Sequence, residues 1–587
     1  MAKRSRPKTR DRSSAPPRDA APPGRRATVV VLLAFALTFV LLEVGSYTQK
    51  SAAWDEPVHV TDGYASLAQH DYRVDPEHPP FLRMWAALPM VAMGATAPTL
   101  ADIERTPPGT WAWTLYGFCE TFLYGQNDAD RLLYAGRFMI VLLGVVLGTM
   151  LFLWARDWLG FWPAVAAIAF YTIEPNIAAH ASLVTTDFGF ACFMFGALYF
   201  LWRVCQNWRP LDIAALTLCF ALAVISKFSA LILGPIVALL LGVAAVRRSI
   251  TPARAVALIV LLSAASWIAV WSIYGFRYLP SASPTWVYDL QTDAQVQREV
   301  PKLASVVTWI DRHHLLPNVF SQGFLFGQAK AQIRPAFLNG QINDRGWWYY
   351  FPFALAIKTP IAVLVLAAGG LVLAAMRSRQ LGLQNVMFVV LPIAVYMAAA
   401  MATRLNIGLR HLLPIYPLLL LLVAAAAKAL LERGRAGTIA LVVALGIGAL
   451  EFGRNYPDNL SFFNAFVGGP AHGSEYLVDS NLDWGQDLKP LKAWMDANHV
   501  PHVNLAYFGT AYPPYYGIDA TYLPGSAFAQ PNPNVQLPGY VAISATVLRG
   551  VYLDEPGRAF YHSFLNRTPV ASIGHSIFVY WVERPWW

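Results

Sequence analysis

The chain is 587 residues long, 56% hydrophobic and only 13% charged, with a mean hydropathy of +0.41. A soluble chain carries about 25% charged residues, so this balance excludes an ordinary soluble globular protein; with its unbroken apolar runs of membrane length it predicts a polytopic α-helical membrane protein. The net charge of +9 speaks to topology before nucleic acid, because Lys3, Arg4, Arg6, Lys8, Arg10, Arg12, Arg18, Arg25 and Arg26 crowd the first 26 residues and no nucleic-acid motif accompanies them.

Residues 1–26, rich in Pro, Arg and Ser, are expected to form a disordered cytoplasmic tail. The first span is predicted over 27–45. Its apolar core is longer than that of a signal peptide and many spans follow, so it reads as an uncleaved anchor. Residues 46–130 form a large first external loop. Within it, 81–97 is apolar but short and carries Arg83 and Pro89, which suits an interfacial or re-entrant segment. Further spans are predicted at about 131–154, 161–178, 186–204, 211–226, 228–246, 255–274, 352–376, 384–402, 411–431 and 437–453, making about eleven in a membrane domain over 27–453. Strict alternation puts Arg156, Arg203 with Arg209, Arg247 with Arg248 and Arg254, Arg377 with Arg379, and Arg433 with Arg435 on the cytoplasmic side, as the positive-inside rule requires. The vulnerable point is 211–246, read as two spans broken near Ser226-Lys227; a single span there would invert everything downstream.

On this topology the external side also receives a short turn near 174–186, a second loop at 275–351, a turn at 403–410 and the tail 454–587. The tail is not membrane-like. Residues 476–479, 502–508, 541–547 and 572–582 are strand candidates, and 487–498 reads as an amphipathic helix burying Leu488, Leu491 and Met495. The expected fold is therefore a multi-span membrane domain with a small C-terminal extracytoplasmic α/β domain, in the cell membrane with the N-terminus in the cytoplasm. The four cysteines, Cys119, Cys192, Cys205 and Cys219, have neither disulfide-framework nor metal-ligand spacing.

Chemistry-bearing residues collect on the external rim. Asp55-Glu56 is either a solvated pair capping a short helix or a carboxylate general base or metal ligand at a membrane-side cavity. If 55–70 is helical, Asp55, His59 and Asp62 share a face. Asp75-Pro76-Glu77-His78-Pro79-Pro80 must be extended or turning. Asp187, opening an apolar run, is costly unless paired or facing water, and Arg137 within another apolar run is a functional candidate unless it snorkels. Lys227, Lys358, Arg404, Arg410 and His411 lie on the same rim; cations suit a phosphate headgroup, carboxylates the activation of a hydroxyl. Asp479-Ser480-Asn481-Leu482-Asp483-Trp484-Gly485-Gln486-Asp487 reads as capping plus a turn. Trp484, Tyr512, Tyr515 and Tyr516 are either sugar-stacking rings or ordinary surface aromatics.

Taken together, the first-loop Asp-Glu, the downstream His-Pro-Pro, Ala-His-Ala-x-x-x-Thr-Thr-Asp before a span, Ser-Lys-Phe-Ser-Ala, Lys-Thr-Pro and Arg-His-Leu-Leu-Pro-Ile-Tyr-Pro resemble the GT-C membrane glycosyltransferases. Within them the branch resembled is the dolichyl-phosphate-mannose protein mannosyltransferase and aminoarabinose transferase superfamily, over about 28–430. No stretch matches the sugar-binding MIR domains of the eukaryotic enzymes. The resemblance implies transfer of a sugar, with inversion, from a polyprenyl-phosphate donor on the external face, with Asp55 as the essential carboxylate and Arg137 holding the loop or the donor phosphate. Asp55, Glu56 and Asp187 are thus the candidate catalytic residues. Arg137, Lys227, Lys358, Arg410 and His411 are the candidate donor-phosphate ligands, and His59 and His78 candidates for the acceptor or a metal. Some members bind a divalent metal and others need none. The expected partners are a polyprenyl-phosphate-linked sugar, membrane lipids and an acceptor that is a protein, a lipid or a glycan. A transporter or flippase of lipid-linked sugars, with Asp187, Arg137 and Lys227 as gating charges, is the rival reading, and a non-catalytic scaffold with a partner-binding tail the third.

Overall fold

A computed structural model of the chain describes residues 24–97, 117–284, 286–526 and 534–587. Most of the basic tail expected over 1–26 and residues 98–116 of the first loop lie outside the described residues.

The protein is a multi-pass helical membrane protein. Eight helices among the described residues are long and apolar enough to cross a bilayer, and Tyr350–Lys358 with Ile361–Met376 forms an apolar pair bent by 119°. The bend falls at Thr359-Pro360, where the proline removes a backbone donor and forces the residue before it out of helical conformation. Two of the eleven predicted spans, at Phe161–Thr172 and Pro210–Val224, are helices shorter than a full crossing. The expected break at Ser226-Lys227 is present: Pro210–Val224 ends, Lys227 is extended, and a 3₁₀ turn at Phe228–Ile232 leads into Leu233–Val246.

Burial sorts the helices. Thr186–Gln206 and Leu409–Leu431 are 89% and 83% buried and form the centre, whereas Arg25–Tyr47 and Pro252–Ile273, both 17% buried, present apolar side chains outward. Small residues permit close central contact: a Cβ on Gly370 would lie 2.0 Å from the Leu422 carbonyl oxygen.

Helix Phe81–Ala92 packs against Glu56–Tyr64 and Ala129–Leu159. Its Arg83 is buried and bonded to Asp62 and Asp75, so the polar residue that made this segment look interfacial is neutralised inside the protein.

The tail contains a five-stranded mixed sheet, order β4-β3-β5-β7-β6, with β3 (Val503–Ala506) parallel to β4 (Ala520–Tyr522) and β5 (Gly539–Ser544). β7 (Ile577–Val582) runs antiparallel to both β5 and β6 (Ala571–Ile573). A two-stranded hairpin, β1 (Ala336–Leu338) and β2 (Gln341–Asn343), lies in the second loop. Helix Leu488–Ala497 buries Leu488, Leu491 and Met495 as its pattern predicts. The strand expected at 476–479 is absent; a helical turn, Gly473–Tyr476, and a 3₁₀ turn, Asp479–Asn481, stand there, because this segment pairs with the membrane helices instead of the sheet. Lys50 bridges Asp458 and Asp487, Trp54 N donates to Trp484 O (2.7 Å) and Ser51 N to Gln486 O (2.9 Å). The tail is thus stitched to the first loop by main-chain bonds.

Candidate active site

Asp55 and Glu56 are neighbours with opposite fates. Asp55 precedes helix Glu56–Tyr64 and its side chain is 26% exposed. Glu56, with Pro57 following it, begins the helix, and its side chain is wholly buried. Glu56 Oε1 accepts from Arg137 Nε (2.8 Å) and Val184 N (3.0 Å), and Oε2 from Arg137 Nη2 (2.5 Å) and Ala53 N (2.8 Å). Arg137 is equally saturated: its remaining N–H groups reach the carbonyls of Tyr47 (2.9 Å), Lys50 (3.2 Å) and Ser51 (2.8 Å). All five guanidinium donors are used. Glu56 is therefore not placed to take a proton from substrate, and Arg137 has no donor left for a phosphate; the pair locks the first loop to the membrane helix Ala129–Leu159 and to the turn before Asp187.

Lys358 also leaves the phosphate set. It is buried, donates to Leu460 O (2.8 Å) and Asn481 O, and lies 4.6 Å from the Phe463 ring centre, so it anchors the tail.

Asp187, Lys227, Arg410 and His411 do come together, and with Asp55. Asp187 occupies the first turn of Thr186–Gln206, where the helix dipole favours a carboxylate. It pairs with Lys227, lies 3.3 Å from Arg410 Nη1 and 3.9 Å from His411 Nδ1. The same Arg410 Nη1 reaches Asp55 Oδ2 at 2.9 Å. The result is a relay, Lys227–Asp187–Arg410–Asp55, ending on the one exposed carboxylate of the three candidates. Trp484 of the tail lies beneath Arg410, 4.2 Å from ring centre to guanidinium carbon. Arg410 Nε and His411 Nε2 are buried without a hydrogen-bond partner. His411 and the turn after Lys227 border a cleft of about 330 Å³, lined mostly by apolar residues including Phe228, Leu231, Ile232, Phe351 and Tyr396, with Ser229, Gln328 and Thr403 among them.

His59 and Asp62 bond elsewhere, while His78 lies within electrostatic reach of Lys227 and Asp187. His59 Nδ1 meets Val184 O at 2.8 Å and its Nε2 is 3.9 Å from Asp75. Asp62 accepts from Asp75 N (3.1 Å) and pairs with Arg83; burial, opposed by Arg83 and reinforced by Asp75, pushes its carboxyl up to about 7. Burial, with Lys227, His59 and Arg83 nearby, holds His78 well below the ordinary imidazole range, so it is neutral. Among the described residues no three His, Cys, Asp or Glu side chains gather to hold a metal ion. The place between Asp55 and Asp187, where a cation would bridge two carboxylates, is taken by the Arg410 guanidinium.

Sequence reasoning missed Arg334 and Tyr552 and undervalued Asp479. Asp479 accepts from Tyr552 Oη and lies within electrostatic reach of Arg334 and Arg410; burial raises its carboxyl against these cations. No local signal marks Arg334, which sits in the second loop, far in sequence from all its partners. Arg83 was detectable as an arginine inside an apolar helix.

Residues 111–273 match the family model described as dolichyl-phosphate-mannose-protein mannosyltransferase. The matched segment contains Arg137, Asp187 and Lys227, and it agrees with the resemblance of the wider motif set to the GT-C glycosyltransferases. No curated protein matches the chain. Among solved structures it is similar to the oligosaccharyltransferase of Archaeoglobus fulgidus in the apo form, at 12% identity over 92% of this chain and 71% of that one, with a TM-score of 0.49. It is also similar to that organism's AglB in complex with an inhibitory peptide and a dolichol-phosphate (14% identity, 91% and 72% covered, TM-score 0.48). A third likeness is to ArnT from Cupriavidus metallidurans bound to undecaprenyl phosphate (14% identity, 95% and 98% covered, TM-score 0.31).

Proposed function

We propose that this protein is a membrane glycosyltransferase that moves a sugar from a polyprenyl-phosphate donor to an acceptor hydroxyl, on the membrane face where the first loop, the second loop and the tail meet. One observation carries this reading. His411, whose Nε2 is buried without a partner, borders a cleft lined mostly by apolar residues, and its chain neighbour Arg410, whose Nε is likewise unpartnered, holds the exposed carboxylate Asp55. A phosphate satisfies such donors, and an isoprenoid chain suits the cleft walls.

In the step so proposed, an Asp55 carboxylate oxygen accepts the proton of the acceptor hydroxyl as that oxygen bonds to the sugar's anomeric carbon. The bond from the anomeric carbon to the phosphate oxygen breaks, and the lipid phosphate leaves with the electron pair. Lys227 and Arg410 stabilise its charge. Asp187 holds both cations in register and touches no reacting atom. The charges needed at the leaving group are supplied by side chains.

The test is single-turnover transfer from a panel of radiolabelled polyprenyl-phosphate sugars by purified protein. Asp55→Asn should bind donor and fold normally but lose transfer by at least about a hundredfold, because a positioned general base contributes roughly 10²–10⁴-fold. Near wild-type transfer by a folded Asp55→Asn protein would remove Asp55 from the role of base. If wild-type protein moves the labelled lipid between leaflets with its sugar still attached, it is the transporter.

A further inference from the structure

Deepening this reading, and resting on Asp55 as its base, we infer that the tail builds a sugar-binding wall beside Asp55 from Trp54, Phe508, Tyr552, Asp479 and Arg334, so that the acceptor hydroxyl belongs to a carbohydrate.

The wall is continuous. The Trp54 ring stacks on Phe508 with centroids 4.6 Å apart at 29°, and Phe508 on Tyr552 at 5.6 Å and 5°. The row begins one residue before Asp55 and ends at a tyrosine that is 40% exposed. Tyr552 Oη donates to Asp479, whose carboxylate faces Arg410, and Arg410 returns to Asp55 at 2.9 Å. Arg334 is hydrogen-bonded to the hydroxyl of Tyr552 and lies within electrostatic reach of Asp479 and Glu77. The contacts therefore link an aromatic row, ending on the exposed ring of Tyr552, to the paired charges of Asp479, Arg334 and Arg410 that lead back to Asp55.

That combination matches the surface of a pyranose. Such a ring offers a flat patch of C–H groups, which an aromatic face covers, and a rim of hydroxyls, each both donor and acceptor. Asp479 accepts from such a rim and Arg334 donates to it. A purely apolar ligand would leave Asp479 and Arg334 facing it undersatisfied, and an anionic one would meet the Asp479 and Glu77 carboxylates. Asp479 is also held on purpose: it is a non-glycine residue at φ +56°, kept there by its own amide donating to Thr546 Oγ1 (3.1 Å) and by Ser480 N donating to its Oδ1 (2.5 Å).

The test uses the full chain in lipid nanodiscs, with methyl α-mannopyranoside, methyl β-glucopyranoside and N-acetylglucosamine as probes, followed by saturation-transfer NMR. At least one sugar should bind saturably. Tyr552→Ala should weaken it about threefold to tenfold, the worth of one aromatic face, and Tyr552→Phe should stay within about twofold. Thermal unfolding of both variants separates loss of the wall from loss of the fold. Failure of all three sugars to bind saturably, or binding indifferent to Tyr552→Ala, overturns the inference, as does saturable binding of a serine- and threonine-rich peptide that no sugar displaces. Donor binding by the wild-type protein is measured alongside. Donor binding without sugar binding overturns the carbohydrate wall and leaves glycosyl transfer standing. Tyr552-dependent sugar binding without donor binding supports the wall and overturns the transfer reading.

Discussion

Asp55 and Glu56 are adjacent, chemically alike and close to the same membrane boundary, yet one is built into the scaffold and the other is presented. Four donors converge on the two oxygens of Glu56, and its arginine partner spends its remaining hydrogen bonds on main-chain carbonyls. Among the described residues Asp55 has one side-chain partner, at 2.9 Å, and that partner retains an unpaired nitrogen. What separates these two carboxylates is saturation together with exposure: Glu56 is wholly buried and Asp55 is 26% exposed. A buried pair with every donor and acceptor used holds its own elements together, whereas an incomplete network at a cleft has capacity for a ligand.

Removing one partner of the saturated pair should produce the largest effect. Arg137→Ala leaves Glu56 buried and unpaired, so it should cost roughly 3–5 kcal/mol of stability, read as reduced thermal unfolding temperature and poor recovery in detergent. Arg137→Lys should lie between, since an ammonium cannot reproduce the five-donor fork. A normally stable Arg137→Ala protein that lost only donor affinity would reverse the assignment and return Arg137 to the phosphate site.

The incomplete network should respond in binding. Lys227→Gln keeps a polar side chain, and Asp187 keeps Arg410 as a partner. Loss of a charged hydrogen bond to phosphate is worth about 1.5–3 kcal/mol, so donor affinity should fall roughly tenfold to a hundredfold, with thermal stability affected less than by Arg137→Ala. Equilibrium binding of a labelled polyprenyl phosphate checks this, and unchanged affinity would take Lys227 out of the site.

The tail offers a third contrast, through pH. Asp483 is fully buried; its Oδ2 accepts from Thr546 N (2.8 Å), its Oδ1 has no partner, and burial pushes its carboxyl up to about 8. The unfolded chain releases this proton near pH 3.9. Between about pH 4 and 8 the folded state therefore binds more protons than the unfolded one, and stability falls as pH rises, by at most about 1.4 kcal/mol per pH unit. Asp483→Asn should flatten that slope and unfold at a higher temperature than wild type at pH 8, with the difference shrinking toward pH 5. An unchanged slope would show that Asp483 is not the group responsible.

The smallest effect concerns metal. With Arg410 between Asp55 and Asp187, EDTA treatment should leave single-turnover transfer within about twofold of the untreated rate, because the cation positions beside the leaving phosphate are held by side chains. A collapse restored by added divalent ion would show that these carboxylates act through a metal.

The helical membrane architecture was legible because it depends on runs of residues. Apolar stretches and basic loops report it without knowledge of what touches what, and even the break at Lys227 followed from Ser-Lys interrupting a long apolar run. The strand at 503–506 was legible from alternation for the same reason, whereas the single candidate at 572–582 is two antiparallel strands, 571–573 and 577–582, folded back on each other. The gathering of Asp55, Asp187, Lys227, Arg410 and His411 on one rim followed from counting spans. Which members carry free valence did not. Glu56 and Asp55 have the same local sequence, and their difference is made by Arg137, 81 residues away, and by the amide of Val184, 128 residues away. Lys358 became a tail anchor through Asn481, 123 residues off, and Trp484 came under Arg410 from a tail whose strand prediction at 476–479 was wrong. Periodicity and composition are properties of a segment, so the sequence by itself determined the apolar helices and their order, though not that 161–172 and 210–224 fall short of a full crossing. Hydrogen-bond saturation is a property of the whole fold, because each buried donor takes the acceptor that tertiary packing brings within about 3 Å; only the folded chain decided which charges hold the protein together and which remain to meet a substrate.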